Sequence, residues 1–126
     1  LKDNIIKQID DYSLKDVVNI LEPTSNISRY LMAMDLLIFP SFFEVMPNVI
    51  IEAQATGLKC LISDTITKEV NITGLISYKS LNDNEIEWAN KAILLVNDRK
   101  TNTKQYFLKN GYMIEDVVEI FIRTIF

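Results

Sequence analysis

The stretch that decides the fold is LLIFPSFFEVMPNVIIEAQATGLKCLIS, residues 36–63. It begins with the apolar run LLIFP and ends with the run LKCLIS. Continuous apolar runs of this kind are typical of central strands covered on both faces of a parallel sheet. Between them, Pro47 suits the first turn of a helix that reaches about Ala55, and Gly57 suits its C-terminal cap. We therefore predict a strand–helix–strand unit, with the loop SDTIT after the second strand.

The rest of the chain alternates short apolar runs with amphipathic segments, which favours an α/β fold with a parallel sheet. The predicted order is β-α-β-α-β-β-α-α, that of a doubly wound sheet lacking its first strand or two. Further strands are predicted at 17–21, ended by Pro23, and within 75–81. Helices are predicted at 2–11 and at 28–35, the second after a cap at 24–26. A third helix is predicted to start from a cap at Asn82 or Asp83 and to carry Trp88, expected in the core, with Ile93 and Leu94. A polar loop follows at 97–103, and two helical segments, broken near Gly111, are predicted within 104–126.

Composition restricts the chemistry. The 126 residues suffice for one domain, and 48% apolar with 24% charged residues is typical of a soluble globular protein. A net charge of −4 gives no basic footprint, so nucleic-acid binding is not expected. The absence of histidine excludes His-based metal sites and Ser-His or Cys-His triads within this chain. The single cysteine, Cys60, excludes an internal disulfide and is expected to be a small buried hydrophobe.

Membrane and targeting signals are not evident in the sequence. No apolar run approaches the roughly 18–20 residues that span a bilayer. The opening LKDNIIKQIDDYSL has no continuous apolar core of the kind found in signal peptides. Because the chain starts without methionine inside a helical pattern, we interpret it as a piece of a longer protein.

Two glutamates in the central stretch are candidate ligand-binding residues. Glu52 belongs to the polar stripe Asn48, Glu52 and Thr56, for which the simpler explanation is the solvent face of a helix packed on a sheet. Glu44 follows the carboxyl end of a strand, where open α/β sheets bind ligands. An acidic residue there also stabilises the helix dipole, by about 0.3–1 kcal/mol. The residues alone leave both interpretations open.

The arrangement PS-x-x-E-x-x-P-x-x-x-x-E-A-x-A-x-G, residues 40–57, resembles the donor-site signature of retaining GT-B glycosyltransferases, especially glycosyltransferase family 4. The later SDTITKEV and EWANKAI resemble bacterial members that build capsular polysaccharide or exopolysaccharide. The similarity covers most of the chain, with its centre at residues 30–72.

The resemblance implies that the chain is the C-terminal, donor-binding half of a GT-B fold: a Rossmann-like parallel sheet with flanking helices. Glu44 would contact hydroxyls of the donor sugar as the catalytic residue, helped by backbone amides just after it. Glu52 would accept both ribose hydroxyls of the nucleotide. The implied donor-binding residues are Ser41, Glu44, Val45, Met46, Pro47, Asn48 and Glu52, and the candidate nucleotide contacts are Glu22, Pro23, Asp64 and Thr65.

The implied reaction is transfer from a UDP-sugar, or another nucleotide diphosphate sugar, with retention and without a metal or cofactor. The acceptor would be a saccharide or a lipid-linked saccharide, bound by an N-terminal domain absent from this chain. An arginine–lysine pair that usually neutralises the donor diphosphate is not matched either, so the isolated chain is expected to be inactive. The full-length protein is expected in the cytoplasm, peripheral at the inner face of the membrane. Self-association is expected through the apolar C-terminal segment 117–126.

Val45 departs from the family pattern, which usually has glycine or another small residue after the first glutamate. Either the loop keeps a negative φ at Val45, or donor binding is altered, because a positive φ is costly for a β-branched residue. Three alternatives to an active donor-binding domain are left open. Val45 supports the first, a degenerate, non-catalytic sugar-nucleotide-binding domain; the other two are a receiver-like α/β signalling module and a GT-B epimerase or hydrolase.

Overall fold

The computed structural model describes residues 1–96 and 99–111. They form an α/β unit on a parallel three-stranded sheet in the order β1-β2-β3. This confirms the predicted parallel sheet with flanking helices. The elements are α1 (Lys2–Asp11), α2 (Ile27–Ala33), β1 (Leu37–Phe39), α3 (Asn48–Ala55), β2 (Cys60–Ser63), a 3-10 turn (Lys68–Val70), β3 (Ile76–Lys79), α4 (Glu85–Leu95) and α5 (Lys104–Lys109).

Strand β2 is the centre of the core. All four of its residues are buried, between β1 on one side and β3 on the other. Helix α3 packs on β2, and α2 packs against α3. Cys60 is buried as predicted, and burial raises the pKa of its thiol to about 12. The buried apolar cluster is formed by Leu31, Ile50, Ala53, Leu58, Cys60, Ile62, Ile66, Val70 and Ile76.

Strand β1 forms as predicted, but it is not the central, doubly covered strand that its sequence indicates. It lies at one edge of the sheet in the described part of the chain, and Ile38 is 48% exposed. An apolar run predicts a strand well, but it does not distinguish an edge position from a central one.

The predicted strand at 17–21 is wrong. Its five residues are exposed, and the amides of Val17 and Val18 donate to the carbonyl of Leu14, at 3.1 and 2.9 Å, in a turn. A strand needs a partner for its backbone groups. None of the described strands pairs with this segment, so its apolar side chains remain at the surface.

The predicted helices form, with differences at their ends. Helix α2 follows Asn26, whose side chain makes no capping hydrogen bond. The cap of α4 is Asn84, not Asn82 or Asp83, in a reciprocal capping box with Glu87 (2.9 and 3.1 Å).

The C-terminal helices differ more from prediction. The prediction that Trp88 is a core residue is wrong, because Trp88 is only half-buried and Ile93, which shares its helical spacing, is exposed. Helix α5, by contrast, agrees with the predicted break near Gly111, because it ends before this residue, whose φ is +70°. The predicted last helical segment and its self-association surface lie outside the described residues. Within residues 1–96 and 99–111, no helix is long and apolar enough to cross a membrane.

The part of the predicted polar loop that is described, residues 99–103, joins the carboxyl ends of two helices. The Arg99 guanidinium donates to the carbonyls of Leu31 (2.9 Å) and Thr56 (2.8 Å). The Thr103 hydroxyl donates to the carbonyl of Ala55 at 2.7 Å. Cations are favourable at helix carboxyl ends, so this segment fixes α2 and α3 relative to each other.

Candidate functional site

The carboxyl ends of the three strands lie at one edge of the sheet because the strands are parallel. The loops 40–47, 64–67 and 80–84 leave from this edge. The first of them leads directly into the amino terminus of α3. In open α/β sheets this edge is where ligands bind, and an exposed helix amino terminus there favours anions.

Glu44 lies in the 40–47 loop and is half-buried. Its Oε1 accepts a hydrogen bond from the Ser41 hydroxyl at 3.2 Å. Its other oxygen, Oε2, has no hydrogen-bond partner within the described ranges. Phe42, Phe43 and Val45 around it are 84%, 76% and 74% exposed. Glu44 therefore offers one oriented, uncommitted oxygen beside an apolar surface.

The backbone after Glu44 also has free donors. The amide N–H groups of Val45, Met46 and Asn48 donate to no atom of residues 1–96 or 99–111. Pro47 is buried and caps α3 with φ −74°, one residue before the helix rather than in its first turn. Such unpaired amides at a helix start are available to a ligand.

Val45 does not adopt the strained backbone that its position raised as a concern. Among the described non-glycine residues, only Ser13 and Asn102 have positive φ values. The first of the two alternatives, a loop that keeps φ negative at Val45, is therefore the one found. The valine imposes no left-handed strain on the loop.

Glu52 lies on α3 and is exposed, as is Asn48 one turn earlier. The side chain of Glu52 makes no hydrogen bond or ion pair within the described part of the chain. Thr56, the third member of the stripe, is half-buried and donates to the Ala53 carbonyl at 2.8 Å. The carboxylate of Glu52 is thus free, which both the solvent-face and the ligand interpretations require.

The family model for glycosyl transferases group 1 matches residues 2–98. The chain belongs to this family. The match includes the whole sheet, the 40–47 loop and α3. Membership removes the receiver-like alternative.

Two relatives of this group 1 glycosyltransferase chain are curated proteins. It is 39% identical over 77 residues to EpsF of Bacillus subtilis (strain 168), provisionally named a glycosyltransferase. It is 41% identical over 54 residues to the UDP-Gal:alpha-D-GlcNAc-diphosphoundecaprenol alpha-1,3-galactosyltransferase of Escherichia coli. These alignments cover 60% and 43% of the chain, but only 20% and 14% of the two relatives. The chain therefore spans a fifth or less of the length of either relative.

Of the four predicted nucleotide contacts, two lie at the carboxyl-end edge of the sheet, and the other two, in the part of the chain that the structure describes, make no contact with the 40–47 loop by hydrogen bond or ion pair. Asp64 and Thr65 lie at the carboxyl-end edge and are exposed, and the Asp64 amide donates to the Lys79 carbonyl at 3.0 Å. Glu22 was expected after a strand end, but that strand does not form, and its carboxylate pairs with Lys2 at 2.5 Å. Among the described residues, no hydrogen bond or ion pair joins Glu22 or Pro23 to the 40–47 loop.

Sequence reasoning missed two buried polar residues that support the site. Gln54, on α3, is 0% exposed and bonds to the segment 70–73. Ser63, the last residue of β2, is also 0% exposed, and its hydroxyl donates to the Ser41 carbonyl. The available signal was the same in both cases: a lone polar residue within or at the end of an apolar segment.

Proposed function

We propose that the chain is the nucleotide-sugar-binding, C-terminal half of a GT-B retaining glycosyltransferase. The observation that carries the proposal is that a chain of this family presents two carboxylates with free oxygens, Glu44 and Glu52. Glu44 has one free oxygen in the loop after β1, and Glu52 has a free carboxylate on α3. A carboxylate accepts two hydrogen bonds readily, as recognition of a sugar diol requires.

Glu44 serves in this proposal as the sugar-binding and catalytic residue. Its free oxygen accepts from hydroxyls of the donor sugar, while Ser41 holds the other oxygen. The amides of Val45, Met46 and Asn48 donate to the donor's oxygens, where they stabilise negative charge. Holding the ring in one orientation presents the anomeric carbon to the acceptor, which lowers the entropic part of the barrier.

Glu52 serves as the ribose-binding residue. It lies four residues beyond Asn48, the first residue of α3, which is about 6 Å along the helix axis. A nucleotide lying along α3 would then direct its diphosphate to the helix amino terminus and its ribose to Glu52. Asp64, on the neighbouring loop, is a further candidate contact.

The donor is proposed to be a UDP-sugar, and the acceptor a saccharide or lipid-linked saccharide in bacterial polysaccharide synthesis. The name of the E. coli relative, which specifies UDP-Gal and a diphosphoundecaprenol acceptor, supports both choices. Transfer would need no metal or cofactor. The acceptor domain would lie elsewhere in the protein, at the inner face of the membrane, and this chain alone would not catalyse transfer.

A titration of the chain with UDP, followed by two-dimensional NMR, tests the proposal. We expect UDP to shift the amide resonances of Val45, Met46 and α3. We expect Glu52→Ala to weaken binding at least about tenfold, because charge-assisted hydrogen bonds contribute about 1.5–3 kcal/mol each. Glu69→Ala is the matched control, since Glu69 is exposed and lies outside the proposed site. The proposal fails if UDP does not bind, or if both variants bind UDP like the wild type.

Two alternatives remain: a GT-B epimerase or hydrolase, and a degenerate domain that binds the nucleotide without supporting transfer. The degenerate domain was raised by the departure at Val45, and the absence of a positive φ there removes the backbone-strain part of that reason. Transfer by the full-length protein that depends on Glu44 would exclude the degenerate domain.

A further inference from the structure

Three hydroxyl side chains connect the end of β2 to the loop that carries Glu44. The Ser63 hydroxyl donates to the Ser41 carbonyl. Thr65 Oγ1 lies 3.0 Å from the same carbonyl oxygen and 3.2 Å from Ser63 Oγ. Ser41 Oγ in turn lies 3.2 Å from Glu44 Oε1. The contacts form one continuous chain from the central strand to the carboxylate.

Each hydroxyl of this network has a hydrogen for the contact in which it donates. A hydroxyl has one hydrogen to donate and two lone pairs that accept. Ser63 uses its hydrogen on the Ser41 carbonyl. Thr65 donates either to that carbonyl or to Ser63 Oγ, and both choices leave Ser41 held from β2. The Ser41 hydroxyl therefore keeps its own hydrogen for Glu44.

The burial of Ser63 indicates that its contact is required. Ser63 is 0% exposed, and a buried hydroxyl without a partner is costly. Its partner lies 22 residues away in sequence, so β2 fixes the loop after β1 through this contact. The Ser41 amide also donates to the Phe39 carbonyl at 3.1 Å. Ser41 is thus held at both its backbone N–H and its carbonyl.

The Ser41 hydroxyl has a second acceptor within reach. The Phe43 carbonyl lies 3.4 Å from Ser41 Oγ, farther than Glu44 Oε1 at 3.2 Å. If the Ser41 backbone moves, its hydroxyl can turn to Phe43, and Glu44 loses its only hydrogen bond in the described part of the chain. The hydroxyls of Ser63 and Thr65 hold the Ser41 carbonyl, and in this position Glu44 Oε1 is the nearer acceptor of the Ser41 hydroxyl.

We propose that Ser63 and Thr65 are positioning residues that orient Glu44 through Ser41 and so determine the affinity for the sugar half of the donor. The inference rests on the proposed function of Glu44, but its geometric part does not need a ligand. Thr65 acts here as support for the loop and not as a nucleotide contact. Binding sites depend on such supporting contacts, because a displacement of about 0.5 Å loosens a paired hydrogen bond.

The test uses Thr65→Val, in which a methyl group replaces the hydroxyl at an exposed position, so we expect the variant to fold. Thr65→Ser restores the hydroxyl and is the rescue variant. Thr101→Val is the matched control, because Thr101 is exposed and has no hydrogen bond within the described ranges. Ser63→Ala is a second variant that removes the buried donor.

The first measurement is the carboxyl ¹³C resonance of Glu44 in the chain without ligand. We expect Thr65→Val and Ser63→Ala to move it in the direction that Ser41→Ala does, and Thr65→Ser to restore it. The inference is overturned if Thr65→Val and Ser63→Ala leave this resonance unchanged while Ser41→Ala moves it. It is also overturned if Thr101→Val moves the resonance as much.

The second measurement is the ratio of affinities for UDP-galactose and UDP. We expect Thr65→Val to lower this ratio about threefold to tenfold, the effect of one hydrogen bond, with UDP affinity unchanged. An equal loss for both ligands would make Thr65 a nucleotide contact and overturn the inference. If UDP does not bind the wild type at all, the proposed function fails, and the ¹³C measurement still decides the positioning role.

Discussion

Gln54→Leu should destabilise the fold more than any surface change, although leucine has a similar size. Gln54 is 0% exposed and ties α3 to the segment after the 3-10 turn. Its Nε2 donates to the Val70 carbonyl at 2.8 Å. Its Oε1 accepts from the amide and hydroxyl of Thr73, at 3.1 and 2.9 Å, and from the Ile72 amide at 3.0 Å.

The magnitude follows from the donors that the substitution leaves unpaired. The Ile72 amide keeps a second acceptor, the Val70 carbonyl at 3.0 Å. The amide and hydroxyl of Thr73 lose the only acceptor they have among the described residues, and Thr73 is 2% exposed. Two buried unpaired donors cost about 1–3 kcal/mol each, and the apolar gain from leucine offsets part of that. We expect a net loss of about 3 kcal/mol in the free energy of unfolding.

Urea unfolding of the two proteins, followed by circular dichroism, measures this loss. Gln8→Leu is the control, because Gln8 is exposed on α1 and should change stability by less than about 0.5 kcal/mol. Adding Thr73→Val removes one unpaired donor, so the double variant should be about 1 kcal/mol more stable than the sum of single effects predicts. A Gln54→Leu protein as stable as wild type, or strictly additive effects, would refute the reasoning.

Three further changes test other parts of the fold. Gly57→Ala should lower the free energy of unfolding in urea more than Gly74→Ala does. Both glycines have a positive φ (+79° and +76°), but of the two only Gly57 would place a Cβ against a backbone oxygen, at 2.1 Å. Equal losses of stability in the two variants would contradict this. Arg99→Met should lower the free energy of unfolding by about 1–3 kcal/mol, because it removes the charged donor from the carboxyl ends of α2 and α3. Arg29→Met should not, because the Arg29 side chain makes no hydrogen bond or ion pair in the described part of the chain. Burial raises the pKa of the Cys60 thiol from 9.0 to about 12, so the unfolded chain loses the thiol proton at a lower pH than the folded chain. The free energy of unfolding is therefore unaffected by this thiol below pH 9 and falls as the pH rises towards 12. Cys60→Ala should therefore show a shallower alkaline decline in stability than wild type over that interval, and an equal decline would contradict the assignment.

Much of the central unit could be predicted from the sequence because its signals are local. The run around Cys60 predicts β2, and Pro47 and Gly57 mark the ends of α3 to within one or two residues. The same spacing predicted correctly that Glu44 precedes α3 and Glu52 lies on it.

The errors concern contacts between distant segments. The apolar run 17–21 has the composition of a strand, but pairing is decided by whether a neighbour is present. Arg99 reads as part of a polar loop, and its bond to Leu31 spans 68 residues. The link from Ser63 to Ser41 likewise depends on the parallel pairing of β1 with β2, which no local pattern encodes.

The central claim is that the two glutamates divide the donor between them, and one calorimetric comparison tests it most directly. UDP and UDP-galactose are titrated into wild type, Glu44→Gln and Glu52→Ala, with Glu69→Ala as control. The account predicts that Glu52→Ala weakens both ligands, whereas Glu44→Gln removes only the affinity that the sugar adds and leaves UDP binding unchanged. Unchanged UDP binding in Glu52→Ala, or equal losses of both ligands in Glu44→Gln, would contradict it.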